Sequence, residues 1–582
     1  MAAAQPNSPL DRSRRELRAA MGRGRGVFLS IALFSVFVNL LMLTGPLFML
    51  QVYDRVLSSR SEATLVALFG LVAALYLLMG FLDYARGRVA ARIGARFQDD
   101  MDERVFDATL RRAVSPVERA RPATGLRDLE AVQRFMSAPV LFAIFDMPWT
   151  PIFIFAIFIF HPMLGWLAVG GGLLLITITL LNQLTTARPV QDAAVAGARS
   201  DAFATGARDE AELIQGLGMR PAVMARWRET RSEALAEHIA ASDRTGTFAT
   251  MSKTLRFFLQ SAMLALGAWL VLQAELTAGA MIAASILLGR ALAPVEQAIN
   301  GWPLFQRARQ GWRSLETLLA QTPILPEPTA LPAPRAILDA QHVTVVPPGE
   351  KVATLRMVSF RLEQGQALGV IGPSGSGKST LARVLTGIWP PASGSVRLDG
   401  ATLDRYASEA LGRALGYLPQ DVALFGASIA QNIARLAAAP DAEAVVAAAK
   451  RAGAHDMILG LPDGYDTMIN PGGSRLSGGQ KQRIGLARAM YGDPAILILD
   501  EPNANLDAEG QAALNAAIRA MKQENKSVII MAHRPAGIAE CDTILVMEAG
   551  MRKAFGPRDE VLKAQLKNYE KVAGALTSEG KT

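Results

Sequence analysis

The sequence predicts a chain in two parts: a membrane α-helical domain with six transmembrane helices, followed by an α/β domain on a largely parallel sheet. Three observations carry this expectation. Uncharged apolar stretches long enough to cross a bilayer recur through the first half. A proline-rich segment, "TPILPEPTALPAPR", then prevents any helix from continuing. Beyond it, short apolar runs such as "ALGVIG", "ILILD" and "SVIIMAH" alternate with helical stretches. Composition agrees, with 51% of the 582 residues hydrophobic and only 19% charged. The net charge of +8 suits a nucleic acid or an anionic membrane surface. Given the apolar stretches, the membrane is the simpler partner, and no nucleic acid is expected. The single cysteine, Cys541, excludes an internal disulfide framework and reads as an ordinary core or surface residue.

Residues 1–25 form a short segment holding Arg12, Arg14, Arg15, Arg18, Arg23 and Arg25. A cleaved signal peptide does not fit, because the following apolar run is too long and lacks a small-residue cleavage pattern. Residues 26–320 form the membrane domain. Gly26 to Tyr53 and Ala63 to Leu82 carry no charge. "APVLFAIFDMPWTPIFIFAIFIF" and "LGWLAVGGGLLLITITLLNQL" follow, then "FFLQSAMLALGAWLVLQ" and "TAGAMIAASILLG", giving three hairpins. The long intervals at 83–137 and 184–254 are rich in arginine, whereas the other connections are short and poor in charge. The N-terminus and both long intervals therefore face the cytoplasm. Their low glycine and proline content predicts helices that continue beyond the membrane.

Two charges interrupt the apolar stretches, Asp146 and Arg290. Each lies ~20 Å from an outer turn, so they are expected at one depth, as a pair or as part of a pathway lining. The alternative is that both reach to the cytoplasmic interface.

Pro323, Pro326, Pro328, Pro332 and Pro334 mark residues 321–335 as a linker. Residues 336–565 form the α/β domain, and 566–582 a tail. Gly372-Pro-Ser-Gly-Ser-Gly-Lys-Ser379 is a phosphate-binding loop between a strand-like and a helix-like run. Gly372, Ser374, Gly375, Ser376, Gly377 and Thr380 belong to a cradle of backbone N–H groups around phosphates. Lys378 is placed to reach the β- and γ-phosphates, and Ser379 to hold Mg²⁺. The apolar strand "AILILDE" ends in Asp500, placed for Mg²⁺, and Glu501, placed to activate water. His533 follows another strand, where α/β sheets bind ligands. Gln420 in "GYLPQD" carries little signal by itself.

The stretches "GPSGSGKST", "LPQD", "LSGGQ", "ILILDEP", "NLD" and "AHR" occur in the order found in ATP-binding cassettes. Over these ~220 residues the chain closely resembles the ATPase domain of ABC transporters, and spans preceding a cassette in one chain resemble the exporters among them. The resemblance implies a homodimer with ATP and Mg²⁺ at two shared sites. Ser477, Gly478, Gly479 and Gln480 would close over the partner's ATP, with Asp507 at the dimer contact. It also implies catalytic roles for Glu501, His533 and Gln420, and Mg²⁺ contacts for Ser379, Gln420 and Asp500. Two positions depart from the family pattern. Pro347, beside Val346, stands where an aromatic usually stacks on adenine, and Pro471 stands where an acidic residue often precedes the signature.

"LQVYDRVLSSRSEATL", "FDMPWTPIFIFAIFIFHP" and "VTVVPPG" are similar to the ATPase-permeases of bacterial type I protein secretion, protease-secretion type. With only residues 1–25 before the first span, the peptidase-like domain of haemolysin-type relatives is not expected. This resemblance implies a multi-pass inner-membrane protein with its cassette in the cytoplasm. It further implies a periplasmic membrane fusion protein, an outer-membrane channel and surrounding lipids as partners. The passenger would be an unfolded polypeptide with a C-terminal secretion signal. A lipid or small-molecule exporter shares the same ATP site and stays open as an alternative. A soluble cassette ATPase fits the basic charge but not the spans.

Overall fold

The computed structural model describes residues 8–119, 124–324, 331–470, 476–504, 506–533 and 535–565. Linker prolines Pro326 and Pro328, the signature-preceding Pro471, Asn505 of "NLD" and the 566–582 tail lie outside the described residues. Two compact units emerge: Met1–Ala113 with Arg119–Ile324, and Val114–Glu118 with Leu325–Thr582.

Six helices of the first unit are long and apolar enough to cross a membrane. In order, spans 1–6 are Arg25–Ser59, Glu62–Ala113, Val140–Phe160, Pro162–Asp209, Arg220–Leu272 and Ala278–Asn300. Spans 2, 4 and 5 contain 52, 48 and 53 residues. At 1.5 Å per residue they reach about 70–80 Å, more than twice the ~30 Å hydrocarbon core. The arginine-rich intervals are thus continuations of the spans, as their composition predicts.

The connections between spans are capped by side chains. His161 is extended and its Nδ1 accepts from the Met163 N–H at 3.2 Å, with Pro162 opening span 4. Its Nε2 lies 3.4 Å from Glu275, in the turn between spans 5 and 6. Span 1 ends through a single π turn, Val52–Val56, which carries Asp54. That carboxylate accepts from the Thr277 hydroxyl at 2.7 Å and the Gly279 N–H at 2.9 Å. Asp54 therefore satisfies one of the free N–H groups at the start of span 6, while Thr277 Oγ1 accepts from that of Ala280 at 3.1 Å. A Cβ on Gly279 would lie 2.6 Å from Asp54 Oδ1, so glycine is what lets the carboxylate approach.

The expected pairing of Asp146 with Arg290 is not what forms. Asp146 Oδ1 accepts from Arg86 Nη1 at 3.0 Å and from Asn39 Nδ2 at 2.8 Å. Arg86 also donates to Ser35 and to Asp83, and its guanidinium lies over the Phe142 ring. Arg86, Asp146 and Asn39 are 5%, 7% and 2% exposed, so the cluster joins spans 1, 2 and 3 in the interior. Arg290 is half-buried, and among the described residues its side chain makes no hydrogen bond or ion pair. Counting residues estimates depth along a helix but not the face that a side chain occupies, and the face selects Arg86.

Two apolar cores hold this unit. One gathers spans 3 to 6 around Phe153, Leu175, Met263 and Leu288. The other packs the N-terminal helix Pro9–Gly22 and span 2 against helices Gly125–Met136 and Trp302–Gln321, through Leu17, Phe97, Leu129 and Leu315.

The second unit contains β1 (Leu338–Val345), β2 (Leu355–Leu362), β3 (Ala367–Ile371), β4 (Ser393–Leu398) and β5 (Ala401–Thr402). It continues with β6 (Leu415–Leu418), β7 (Ile496–Asp500), β8 (Ser527–Ala532), β9 (Thr543–Glu548) and β10 (Met551–Pro557). An antiparallel sheet has the order β2-β1-β4-β5, and a second sheet the order β10-β9-β3-β8-β7-β6. In the second, β9, β3, β8, β7 and β6 are parallel. Every residue of β7 and β8 is buried, which is why they read as unbroken apolar runs. Cys541 sits in this core, where burial pushes its thiol up to about 12, in keeping with an inert residue.

Candidate functional site: a phosphate cradle at the ends of four parallel strands

The loop from Gly372 to Gly377 joins β3 to the helix Lys378–Leu385. Gly375 and Gly377 hold φ of 77° and 96°, a region that favours glycine. A Cβ on Gly372 would meet the Met547 carbonyl at 2.2 Å. Ser374 and Gly375 are exposed on the loop, and Thr380 is buried in the first turn of the helix. Ser376 is buried, yet its Oγ has no hydrogen-bond partner. A buried hydroxyl without a partner is costly, and an anion in the cradle would supply one. Lys378 is also buried, and its Nζ donates to the Gly372 and Pro373 carbonyls at 2.9 and 3.1 Å. Burial pushes this ammonium below its usual range, against the pull of Glu501 and Asp500.

Ser379 Oγ donates to Asp500 Oδ1 at 3.3 Å. Burial at the end of β7 pushes the Asp500 carboxyl up, and the Ser379 hydrogen bond opposes the shift. Glu501 follows with a φ of 50°, unusual for a side chain with a Cβ, and its N–H donates to the Met531 carbonyl of β8. Such backbone geometry is found where a side chain must be aimed. The Glu501 carboxylate lies 2.7 Å from His533 Nε2 and accepts from Gln420 Nε2 at 3.4 Å. His533 Nδ1 in turn lies 3.5 Å from Lys378 Nζ.

The strand order explains this convergence. β3, β8, β7 and β6 are adjacent and parallel, so the segments leaving their C-terminal ends share one edge. The loop at Gly372 leaves β3, His533 follows β8, Asp500 and Glu501 end β7, and Gln420 follows β6.

The second group stands apart. Ser477 caps the helix Gly478–Met490: its Oγ accepts from the Gln480 N–H at 3.2 Å, while Gln480 Oε1 accepts from the Ser477 N–H at 2.9 Å. Among the described residues each of these side chains bonds the other residue's backbone N–H and not the Gly372–Gly377 loop. Ser477 and Gly478 are exposed, presenting a helix N-terminus outward. Asp507 caps the helix Ala508–Gln523 through the Gly510 N–H at 2.8 Å and accepts from Arg483 Nη2 at 2.7 Å. These contacts hold its carboxyl below the usual range. Sequence reasoning missed Arg483; its only local signal is a cation six residues past Ser477, and its acidic partner is distant in the chain.

Pro347 is buried directly after β1, with Val346 half-buried beside it. Gly349 follows with φ 89°, where a Cβ would lie 2.4 Å from Val117, and Ser115 Oγ donates to the Pro348 carbonyl at 3.4 Å. The Val114–Glu118 segment thereby braces this loop within the second unit. No group of three or more His, Cys, Asp or Glu able to hold a metal occurs among the described residues.

Known proteins resemble both halves. The model of the ABC transporter transmembrane region matches residues 28–293, and that of the ABC transporter matches residues 355–504. The type I secretion system ATP-binding protein PrsD of Rhizobium meliloti is 44% identical over 544 residues, 94% of each chain. The cyclolysin secretion/processing ATP-binding protein CyaB of Bordetella pertussis is 30% identical, over 94% of this chain and 77% of its own length. The toxin RTX-I translocation ATP-binding protein of Actinobacillus pleuropneumoniae is 29% identical, over 92% of this chain and 76% of its own. The solved structure of a bacterial Atm1-family ABC exporter with ATP bound has the same fold, at a TM-score of 0.80 and 24% identity, covering 95% of this chain and 98% of that one.

Proposed function

From its membership in the ABC transporter family, among the ATP-binding proteins of type I secretion systems, we propose that this chain uses ATP to move an unfolded polypeptide out of the cytoplasm. The passenger carries a C-terminal secretion signal. The chain sits in the bacterial inner membrane with its N-terminus and cassette in the cytoplasm. A periplasmic membrane fusion protein and an outer-membrane channel complete the route. Resemblance to a type I secretion protein along nearly the whole chain, membrane half included, supports this over a lipid or small-molecule exporter of the same fold.

ATP is the substrate, and the meeting of four strand ends is the observation that carries its hydrolysis. The loop from Gly372 to Thr380 surrounds the phosphates, Ser376 Oγ gains the partner it lacks, and Lys378 turns from two carbonyls to the β- and γ-oxygens. Glu501, held by His533 and Gln420, orients the attacking water and takes its proton. Ser379, Gln420 and Asp500 offer hard oxygen donors that suit Mg²⁺, and the Ser379–Asp500 contact brings two of them together. When bound, Mg²⁺ neutralises charge on the β- and γ-oxygens. Ser477, Gly478, Gly479 and Gln480 close over the ATP of a second copy, with Asp507 at the contact, so two chains make two sites. The outward-facing cap of Ser477 supports this division.

The test is Glu501→Gln, purified from its native membrane with ATP and Mg²⁺ as a closed dimer. A fusion protein and one secreted polypeptide should accompany it, and deleting that polypeptide's C-terminus should remove it. A dimer bringing only lipid or a small molecule would sink the polypeptide reading and leave the ATP chemistry standing.

A further inference from the structure

Away from the nucleotide site, the membrane unit contains a cavity of about 520 Å³ between the helices Pro9–Gly22, Gly125–Met136 and Trp302–Gln321. Its apolar lining includes Phe28, Phe135, Leu141, Phe305 and Trp312. Phe28 lies in the first turn of span 1 and Leu141 is the second residue of span 3. The cavity therefore lies at the boundary where the apolar stretches begin, the depth of lipid headgroups and upper acyl chains.

Arg14, Arg18, Arg309, Arg313 and Glu316 complete the lining. The acid is already compensated: Glu316 accepts from Arg14 Nε at 3.2 Å and from Trp312 Nε1 at 2.9 Å. Arg18, Arg309 and Arg313 are exposed, and among the described residues their side chains make no hydrogen bond or ion pair. Arg18 also lines an adjoining hollow with Arg15, Arg23 and Arg25; Arg23 pairs with Asp100.

We propose that this cavity is a binding site for an anionic phospholipid, its phosphate held by Arg18, Arg309 and Arg313 and an acyl chain laid along Phe28, Leu141 and Phe305. The two halves of the lining call for one molecule with both characters. A soluble phosphate would meet the arginines and leave the aromatic floor wet, whereas a neutral lipid would fill the floor and leave three cations uncompensated. Basic pockets between spans on the cytoplasmic side recognise anionic headgroups by this division of labour. A segment of passenger polypeptide is the rival occupant, and the depth of Phe28 and Leu141 favours lipid. The proposed orientation enters only in calling this side cytoplasmic; the site itself stands without it.

Trp312 provides the readout. The full-length protein is placed in phosphatidylcholine nanodiscs doped with brominated phosphatidylglycerol or brominated phosphatidylcholine. The quenching lost in Trp312→Phe isolates the signal of the cavity. The phosphatidylglycerol probe should quench Trp312 at an about 100-fold lower mole fraction than the phosphatidylcholine probe, about fivefold for each of the three arginines. The variant R18Q/R309Q/R313Q should lose that preference, about fivefold per arginine, and R18K/R309K/R313K should keep it. Should the glutamine triple fail to insert, Arg18→Gln alone should lose about fivefold. Equal quenching by the two probes, or a preference untouched by the glutamine variants, overturns the proposal. So does a Trp312 signal indifferent to lipid but shielded by a C-terminal peptide of the passenger, which would hand the cavity to the polypeptide.

Discussion

In the membrane unit, the Asp146 carboxylate receives Arg86 and Asn39, and Arg86 also donates to Ser35 and Asp83, leaving its buried Nε without a partner. In the cassette, Lys378 and Asp500 are buried as deeply, yet Lys378 rests on two carbonyls and the neighbouring Ser376 hydroxyl has no partner. Both clusters place charge out of water, which is tolerable only where each charge is compensated. The first is compensated by the protein itself and joins three spans. The second is left incomplete on the side where phosphate would enter. Burial alone therefore does not mark a functional charge, and neither does one unfilled donor, since Arg86 Nε also lacks a partner. What sets the cassette apart is that Lys378, Asp500, Glu501 and the unpartnered Ser376 hydroxyl gather at adjacent strand ends.

The largest effect expected from this contrast is kinetic. Glu501→Gln should lower steady-state ATP hydrolysis at least about 100-fold, the scale of a lost general base, while nucleotide binding persists. Measured turnover within a few-fold of wild type would remove Glu501 from the chemistry. Next comes the closed cluster. Asp146→Ala removes the buried carboxylate from the Arg86 guanidinium, leaving it Ser35 and the exposed Asp83, and should cost about 3 kcal/mol. Thermal unfolding of Asp146→Ala, Arg86→Met and the double variant should show strong coupling between them, whereas Asp146→Ala and Arg290→Ala should be additive. Coupling of Asp146 to Arg290 instead would dissolve the contrast.

Asp54 offers a smaller test at the opposite end of the spans. Asp54→Ala removes the acceptor of the Gly279 N–H at the start of span 6 and should cost about 1 kcal/mol, with Asn retaining most of that bond. The smallest effect belongs to Asp507. The Gly510 N–H and Arg483 hold its folded pKa below the usual value of 3.8. Its contribution is thus present above that value and is lost as pH falls through the lower, folded one. Asp507→Asn keeps a capping side chain and should flatten the acid limb of the unfolding profile. An unchanged limb would mean that the exposed carboxylate is fully screened.

Much of the site was legible because its instructions are local. "GPSGSGKST" needs only its own glycines to turn N–H groups inward, and "LSGGQ" carries both halves of its cap within four residues. Gln420 was opaque by itself, because its partner Glu501 is 81 residues away and reaches it only through the adjacency of β6 and β7. Arg483 was missed for the same reason.

What the sequence determined by itself is the kind of each element: six spans, their helical extensions, a parallel core and a glycine-rich turn between strand and helix. Spacing and hydropathy act within one segment, so they can be read without a fold. The tertiary structure decided which segments meet. It chose Arg86 over Arg290 for Asp146, set Asp54 against Gly279 from 225 residues away, and brought Gln420, Glu501 and His533 to one edge. Those choices depend on the face each helix turns inward and on the order in which strands pair. Neither is written in any single stretch of chain.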